Sequence, residues 1–195
     1  MESGSVRPRF NAMAVRLQLS VTQSRSGDPL RDPSRITVIL ADHHHACRRN
    51  LRLLLEGEAD VEVIAEAPDI PALLMHLSVR APEVLVLNPS AQGGCDIATI
   101  GRLRADLPDT QIVVLTMEES SAFADRALAA GAIGLVLKHK ADEELPTAVR
   151  RAARGQSYVS PRVAAGLRVA PVWALSATGG EPGAHHRAPI PGFQG

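Results

Sequence analysis

Five short runs rich in Val, Ile and Leu, starting 22 to 28 residues apart, constrain this chain more than any other feature. They cover residues 36–41, 61–65, 83–88, 111–116 and 133–137. Two segments, Val84-Leu85-Val86-Leu87 and Ile112-Val113-Val114-Leu115, are apolar without a break, as in strands covered on both faces. Between the runs, apolar residues recur at helical spacing. Cys47, Leu51, Leu54 and Leu55 form one stripe, and Ile70, Leu73, Leu74 and Leu77 a second. Ile97, Ile100 and Leu103 make a third, Phe123, Ala127 and Ala130 a fourth, and Leu145, Ala148, Val149 and Ala152 a fifth. Strands alternating with helices predict a parallel sheet with right-handed crossovers and helices on both faces.

Punctuation residues agree. Asp69, Asp96 and Asp142 stand at helix N-cap positions, Pro71 and Pro146 are read in first turns, and Gly131 follows the fourth helix as a C-cap glycine. In such sheets ligands bind at the carboxyl ends of the strands. That places residues 42–45, 88–94, 116–119 and 138–140 in one crevice. No Gly-rich phosphate loop follows the first run, so a dinucleotide fold is disfavoured.

Composition narrows the function. The 21 Lys and Arg balance the 21 Asp and Glu, and the aromatic residues are three Phe, one Tyr and one Trp. Neither a basic face for phosphates nor a stacking platform for bases is expected. Two cysteines form no disulfide framework; Cys47 is read as core and Cys95 as a loop thiol. No segment approaches the ~20 apolar residues of a membrane span, and no secretory leader is evident, so a cytoplasmic protein is expected. Residues 1–35 and 168–195, rich in Arg and Ser and in Pro and Gly respectively, read as disordered flanks. Residues 36–155 are read as the folded domain, and 156–167 as a linker-like segment.

Taken together, these residues resemble the receiver domain of two-component response regulators of the NarL/FixJ type, over about residues 35–167. Ile36-Thr-Val-Ile-Leu-Ala-Asp-His-His resembles the first strand and its acidic loop. Pro82-Glu-Val-Leu-Val-Leu-Asn resembles the third strand, and Ile112-Val-Val-Leu-Thr-Met the fourth with its switch threonine. Ala130-Gly-Ala-Ile-Gly-Leu-Val-Leu-Lys resembles the fifth with its lysine, and Gly155-Gln-Ser-Tyr-Val-Ser-Pro the segment leading to an output domain. The resemblance implies a doubly wound, five-stranded parallel sheet of the flavodoxin-like (βα)5 form, with strand order 2-1-3-4-5. It also implies a phosphorylation site, here degenerate: Asp42, His43, Asn88, Thr116 and Lys138 stand at its positions.

The departures set the expected chemistry. Asn88 takes the place of the phosphoacceptor aspartate, and an amide does not form an acyl phosphate. Pro89 has no N–H, which blocks the usual succinimide route by which an Asn deamidates. His43 replaces the second acidic residue, leaving Asp42 as at best a residual weak Mg²⁺ ligand; no metal and no cofactor are expected. Leu135 replaces an aromatic switch residue. Lys138 is expected to form a structural ion pair with Asp42, and the Thr116 hydroxyl to satisfy loop backbone.

Other clusters have plainer readings. His43, His44 and His45 are consecutive, and consecutive helical residues diverge, so a transition-metal site is not expected. Glu118 and Glu119 read as a solvated cap at the start of the fourth helix. Arg150, Arg151 and Arg154 fall off the apolar stripe of the last helix. The resemblance puts a partner or dimer surface on the face built from the fourth helix, fifth strand and fifth helix, where these arginines stand as candidates. The expected function is that of an atypical receiver: a non-enzymatic, phosphorylation-independent signalling module read by a histidine kinase, another regulator or a second copy. The alternative is a ligand-responsive or truncated NarL/FixJ-type transcription regulator without its DNA-binding domain. No helix-turn-helix pattern is legible after Leu167, so direct DNA binding is not expected.

Overall fold

The structure, a computed structural model, describes residues 34–90 and 95–167. The disorder readings for the N-terminal flank and for residues 168–195 therefore lie outside the described residues, Arg35 and its neighbour Ser34 apart.

The order of elements is β1 (Ile36–Ala41), α1 (His45–Glu56), β2 (Val61–Ala67), α2 (Ile70–Val79), β3 (Val84–Leu87), α3 (Ile97–Asp106), β4 (Gln111–Thr116), α4 (Ser121–Ala129) and β5 (Gly134–Leu137). A 3-10 turn, Lys138–Lys140, runs into α5 (Ala141–Ala153), followed by β6 (Tyr158–Val159) and α6 (Pro161–Ala164). The strands pair in parallel in the order β2-β1-β3-β4-β5-β6. This is the expected flavodoxin-like order, with one strand more.

Alternation along each strand builds two cores. On one face Val38, Leu40, Val86, Val113, Leu115 and Val136 pack against Leu51 and Leu55 of α1 and Leu145, Ala148 and Val149 of α5. On the other, Ile39, Leu85, Leu87, Ile112, Val114, Leu135 and Leu137 pack against apolar residues of α2, α3 and α4. Because both faces of the sheet are covered, its central strands are continuously apolar, as their sequences indicate.

The sixth strand corrects the reading of 156–167 as a linker. Tyr158 pairs with Gly134 and Val159 with Leu135, while Val159 and Val163 are buried in the core under α4. The buried Ser160 hydroxyl accepts a hydrogen bond from the Leu137 N–H at 3.0 Å and donates one to the Glu144 carboxylate. A two-residue strand is too short to show a period, which is why the sequence conceals it. The segment closes the β5 edge, which would otherwise present unpaired backbone groups.

Capping residues follow expectation with one exception. Asp69 and Asp96 accept from the N–H groups of Ala72 and Thr99, each at 2.8 Å. Gly131 has φ 107°, and the Ala132 N–H reaches the Ala127 carbonyl at 3.1 Å, closing α4 as a C-terminal glycine motif does. Asp142, however, lies within the first turn of α5, and Pro146 lies inside the helix. The 3-10 turn carries the chain into α5 at Ala141, earlier than the Asp-Pro signals suggest.

The two thiols differ from expectation in burial: Cys95 lies in the loop before α3, as read, yet its side chain enters the core. Cys95 is buried in the core, where burial, with Asp96 nearby, pushes its pKa up to about 11. Cys47 is only half-buried, because α1 turns Arg48 inward instead.

Candidate functional site

The carboxyl ends of β1, β3, β4 and β5 open on a crevice of about 510 Å³, lined by His43, His44, Asn88, Thr116, Met117 and Lys138 among others. Each strand delivers its residue by simple continuation. Asp42 follows β1, Asn88 follows β3, Thr116 ends β4 and Lys138 follows β5.

Asp42 is the hub. It is 4% exposed and takes donors from three directions. Its Oδ2 receives the Lys138 ammonium at 2.5 Å; its Oδ1 receives the Asn88 amide at 3.0 Å and the His44 N–H at 2.9 Å. A carboxylate only accepts, so the Asn88 side chain must present its NH₂ group to Asp42. Burial alone raises the Asp42 carboxyl, but Lys138, the His44 N–H and Asn88 together hold it below the usual carboxylate range. The carboxylate is thus charged and matched by one ammonium.

Arg48, which the sequence reading left out, fastens this loop from below. Its guanidinium donates to the Asp42 carbonyl at 2.6 Å and to Glu66 of β2 at 3.3 Å. Position 48 looks like an ordinary polar helix position in sequence. Its partners lie in the loop preceding α1 and on a neighbouring strand, which no local pattern shows.

Thr116 and Leu135 occupy settled positions. The Thr116 hydroxyl accepts the Glu118 N–H at 3.0 Å. Leu135 is fully buried in the core. Glu118 caps the Ser120 N–H at 3.2 Å, and Glu119 faces Arg162 at 3.3 Å and His139 at 3.7 Å. Glu119 is exposed, as expected, and forms surface ion pairs there.

The three arginines at the C-terminal end of α5 do not form one basic edge. Arg150 is clamped on Asp60 by two hydrogen bonds of 2.8 and 2.7 Å and also reaches Glu58. Both acids precede β2, so this cation ties α5 to the α1–β2 side of the molecule and is not a free contact for the α4 side. Arg154 adds its charge near Asp60, whereas Arg151 lies near Tyr158. Only the tertiary fold brings residues 58–60 under α5.

The histidines also depart from expectation. His43 and His44 have ring centroids 3.7 Å apart, tilted by 44°. Both precede α1, and His44 has extended backbone angles, φ −80° and ψ 109°, so helical divergence does not apply to them. The Asp42 carboxylate, by accepting the His44 N–H, folds the loop so that both rings return towards it. Their Nδ1 atoms lie 3.7 and 3.4 Å from Asp42 Oδ1. This cluster of one carboxylate and two imidazoles does not suit Mg²⁺, which requires oxygen ligands at near-octahedral geometry.

The chain matches the response regulator receiver domain family over residues 38–150. It is 30% identical over 131 residues to the oxygen regulatory proteins NreC of Staphylococcus epidermidis and Staphylococcus carnosus, an alignment covering 67% of this chain and 60% of each relative. The chain therefore spans about 60% of the length of these relatives. The isolated REC domain of RcsB from Salmonella enterica serovar Typhimurium, solved with phosphomimetic BeF3⁻, superposes with a TM-score of 0.63 at 29% identity, covering 69% of this chain and 99% of that one. A LuxR-family two-component response regulator from Aurantimonas sp. SI85-9A1 gives 0.62 at 29% identity, with 69% and 96% covered. Among the described residues no helix is long and apolar enough to cross a membrane.

Proposed function

Given that the chain belongs to the response regulator receiver domain family, we propose that it is an atypical member that signals by docking, without phosphorylation of its crevice. The observation that carries this reading is the hydrogen bond from the Asn88 amide to Asp42. Where a receiver would present a second carboxylate, this chain presents a donor that satisfies the first. Lys138 neutralises the remaining charge of Asp42, so the crevice is electrostatically complete as it stands. A phosphoryl group has no nucleophile at position 88, and Mg²⁺ has no pair of carboxylates to bridge.

The output is contact with a protein: a histidine kinase, another regulator or a second copy of this chain. The surface proposed for it is the side formed by α4, β5 and α5, where β6 and α6 close the sheet and Arg162 meets Glu119. Of the arginines proposed for this face, Arg150 is engaged by Asp60 and Glu58, and Arg151 near Tyr158 and Arg154 at the end of α5 complete the set. The place of action is the cytoplasm. No turnover and no direct DNA contact are assigned to the described residues.

The test is backbone NMR of the full chain titrated with beryllium fluoride and Mg²⁺. Unchanged signals at Asp42, Asn88, Thr116 and Lys138 are expected. Saturable shifts centred on Asn88 would show a working phosphate site and end the proposal.

A further inference from the structure

The crevice has lost the ligands that suit Mg²⁺ and gained ones that suit a softer ion. We propose that Asp42, His43 and His44 form a binding site for a late first-row divalent transition ion of the Zn²⁺ class. One ligand atom from each residue lies within 4.8 Å of the other two. Of the two imidazole-to-carboxylate separations, 3.4 Å falls within and 3.7 Å lies just beyond the roughly 3.3–3.6 Å edge of a tetrahedron whose metal–ligand bonds are about 2.0–2.2 Å. Two nitrogens and one oxygen are a donor set that Zn²⁺, Co²⁺ and Cu²⁺ accept and Mg²⁺ does not.

The surrounding contacts define how the ion enters. Oδ1 of Asp42 faces the imidazoles, whereas Oδ2 is held by Lys138. Oδ1 also accepts from Asn88 and from the His44 N–H. The ion displaces the Asn88 amide, a neutral donor, and leaves the His44 N–H bond that shapes the loop. Three protein ligands leave a fourth position open to the crevice for water or a partner's side chain. Lys138 works against the ion, since a dication and an ammonium share one carboxylate. Site occupancy would couple ion binding to the Lys138 contact and so to the end of β5.

The inference shares the crevice with the docking proposal but does not rest on it: failure to bind Zn²⁺ would leave the phosphorylation question open, and a beryllium fluoride response would leave the Zn²⁺ result standing. The test uses the full chain with His185 and His186 both replaced by Ala in every arm, removing the paired tail histidines from the measurement. Zn²⁺ is titrated against a chromogenic chelator, and Co²⁺ is added to read four-coordination from its visible absorption. One ion per chain is expected. His43→Gln and His44→Ala should each weaken binding about tenfold or more, His45→Ala should leave it within about twofold, and Lys138→Met should tighten it. His44 is exposed, so its variant carries the test even if His43→Gln fails to fold. Equal losses in all three histidine variants, no loss in any, or the absence of stoichiometric binding would overturn the site.

Discussion

At the scale of single residues, the account turns on the Asp42 carboxylate and its donors. Asn88→Asp places a second carboxylate where a donor stood 3.0 Å away. Like charges that close raise the pKa of one acid above its unfolded value, so stability is lost as pH rises through that raised value. The variant is expected to lose about 1–3 kcal/mol at neutral pH, less at pH about 5, with part of the loss restored by Mg²⁺; thermal unfolding at the two pH values with and without Mg²⁺ measures this. An identical unfolding temperature for variant and parent at neutral pH would contradict the assignment. The parent behaves oppositely. Asp42 is held below the usual range, first against its burial and then by Lys138, the His44 N–H and Asn88. Its contribution is complete above the unfolded carboxylate pKa of about 3.9 and disappears as pH falls through the lower folded value. Asp42→Asn leaves the Lys138 ammonium, 12% exposed, without its anion and should cost about 3 kcal/mol at neutral pH. The gap from the parent should narrow steadily below pH about 4; a gap independent of pH would show that the ion pair is not what stabilises this corner.

At the scale of elements, the closing segment is held by its pairing with β5, by buried Val159 and Val163 and by one hydroxyl. Ser160 links the Leu137 N–H at the end of β5 to Glu144 on α5. Ser160→Ala leaves a buried N–H without an acceptor and is expected to cost about 1–3 kcal/mol, with hydrogen exchange fastest at Leu137, Ser160 and Val163. Global destabilisation with unaltered protection of these three amides would mean the segment is not the local unit described. This element also shows where sequence stops being informative. The five longer strands and five longer helices were legible because their apolar periods exceed one turn or one pleat. β6 was not, having two residues. The start of α5 was misplaced because Asp142 and Pro146 carry the signals of an N-terminus, while the 3-10 turn begins the helical path sooner. Cys47 and Arg48 traded roles because one residue of rotation on a helix is about 100°, and only the carbonyl of Asp42 and the carboxylate of Glu66 decide which side chain turns in.

At the scale of the whole molecule, parallel pairing brings the ends of four strands, 96 residues apart at Asp42 and Lys138, to a 2.5 Å contact. The membership of this crevice was legible because topology alone puts strand carboxyl ends together. Its wiring was not: the convergence of His43 and His44, the clamp of Arg48 and the withdrawal of Arg150 to Asp60 depend on loop geometry and distant partners. The central claim is that an amide at the end of β3 makes this receiver a docking module rather than a phosphoacceptor. Incubation of the full chain with radiolabelled acetyl phosphate and Mg²⁺, followed by denaturing electrophoresis and hydroxylamine treatment, tests it most directly. The expected result is no hydroxylamine-labile label on the parent chain. A stable label that Asn88→Ala abolishes would contradict the claim.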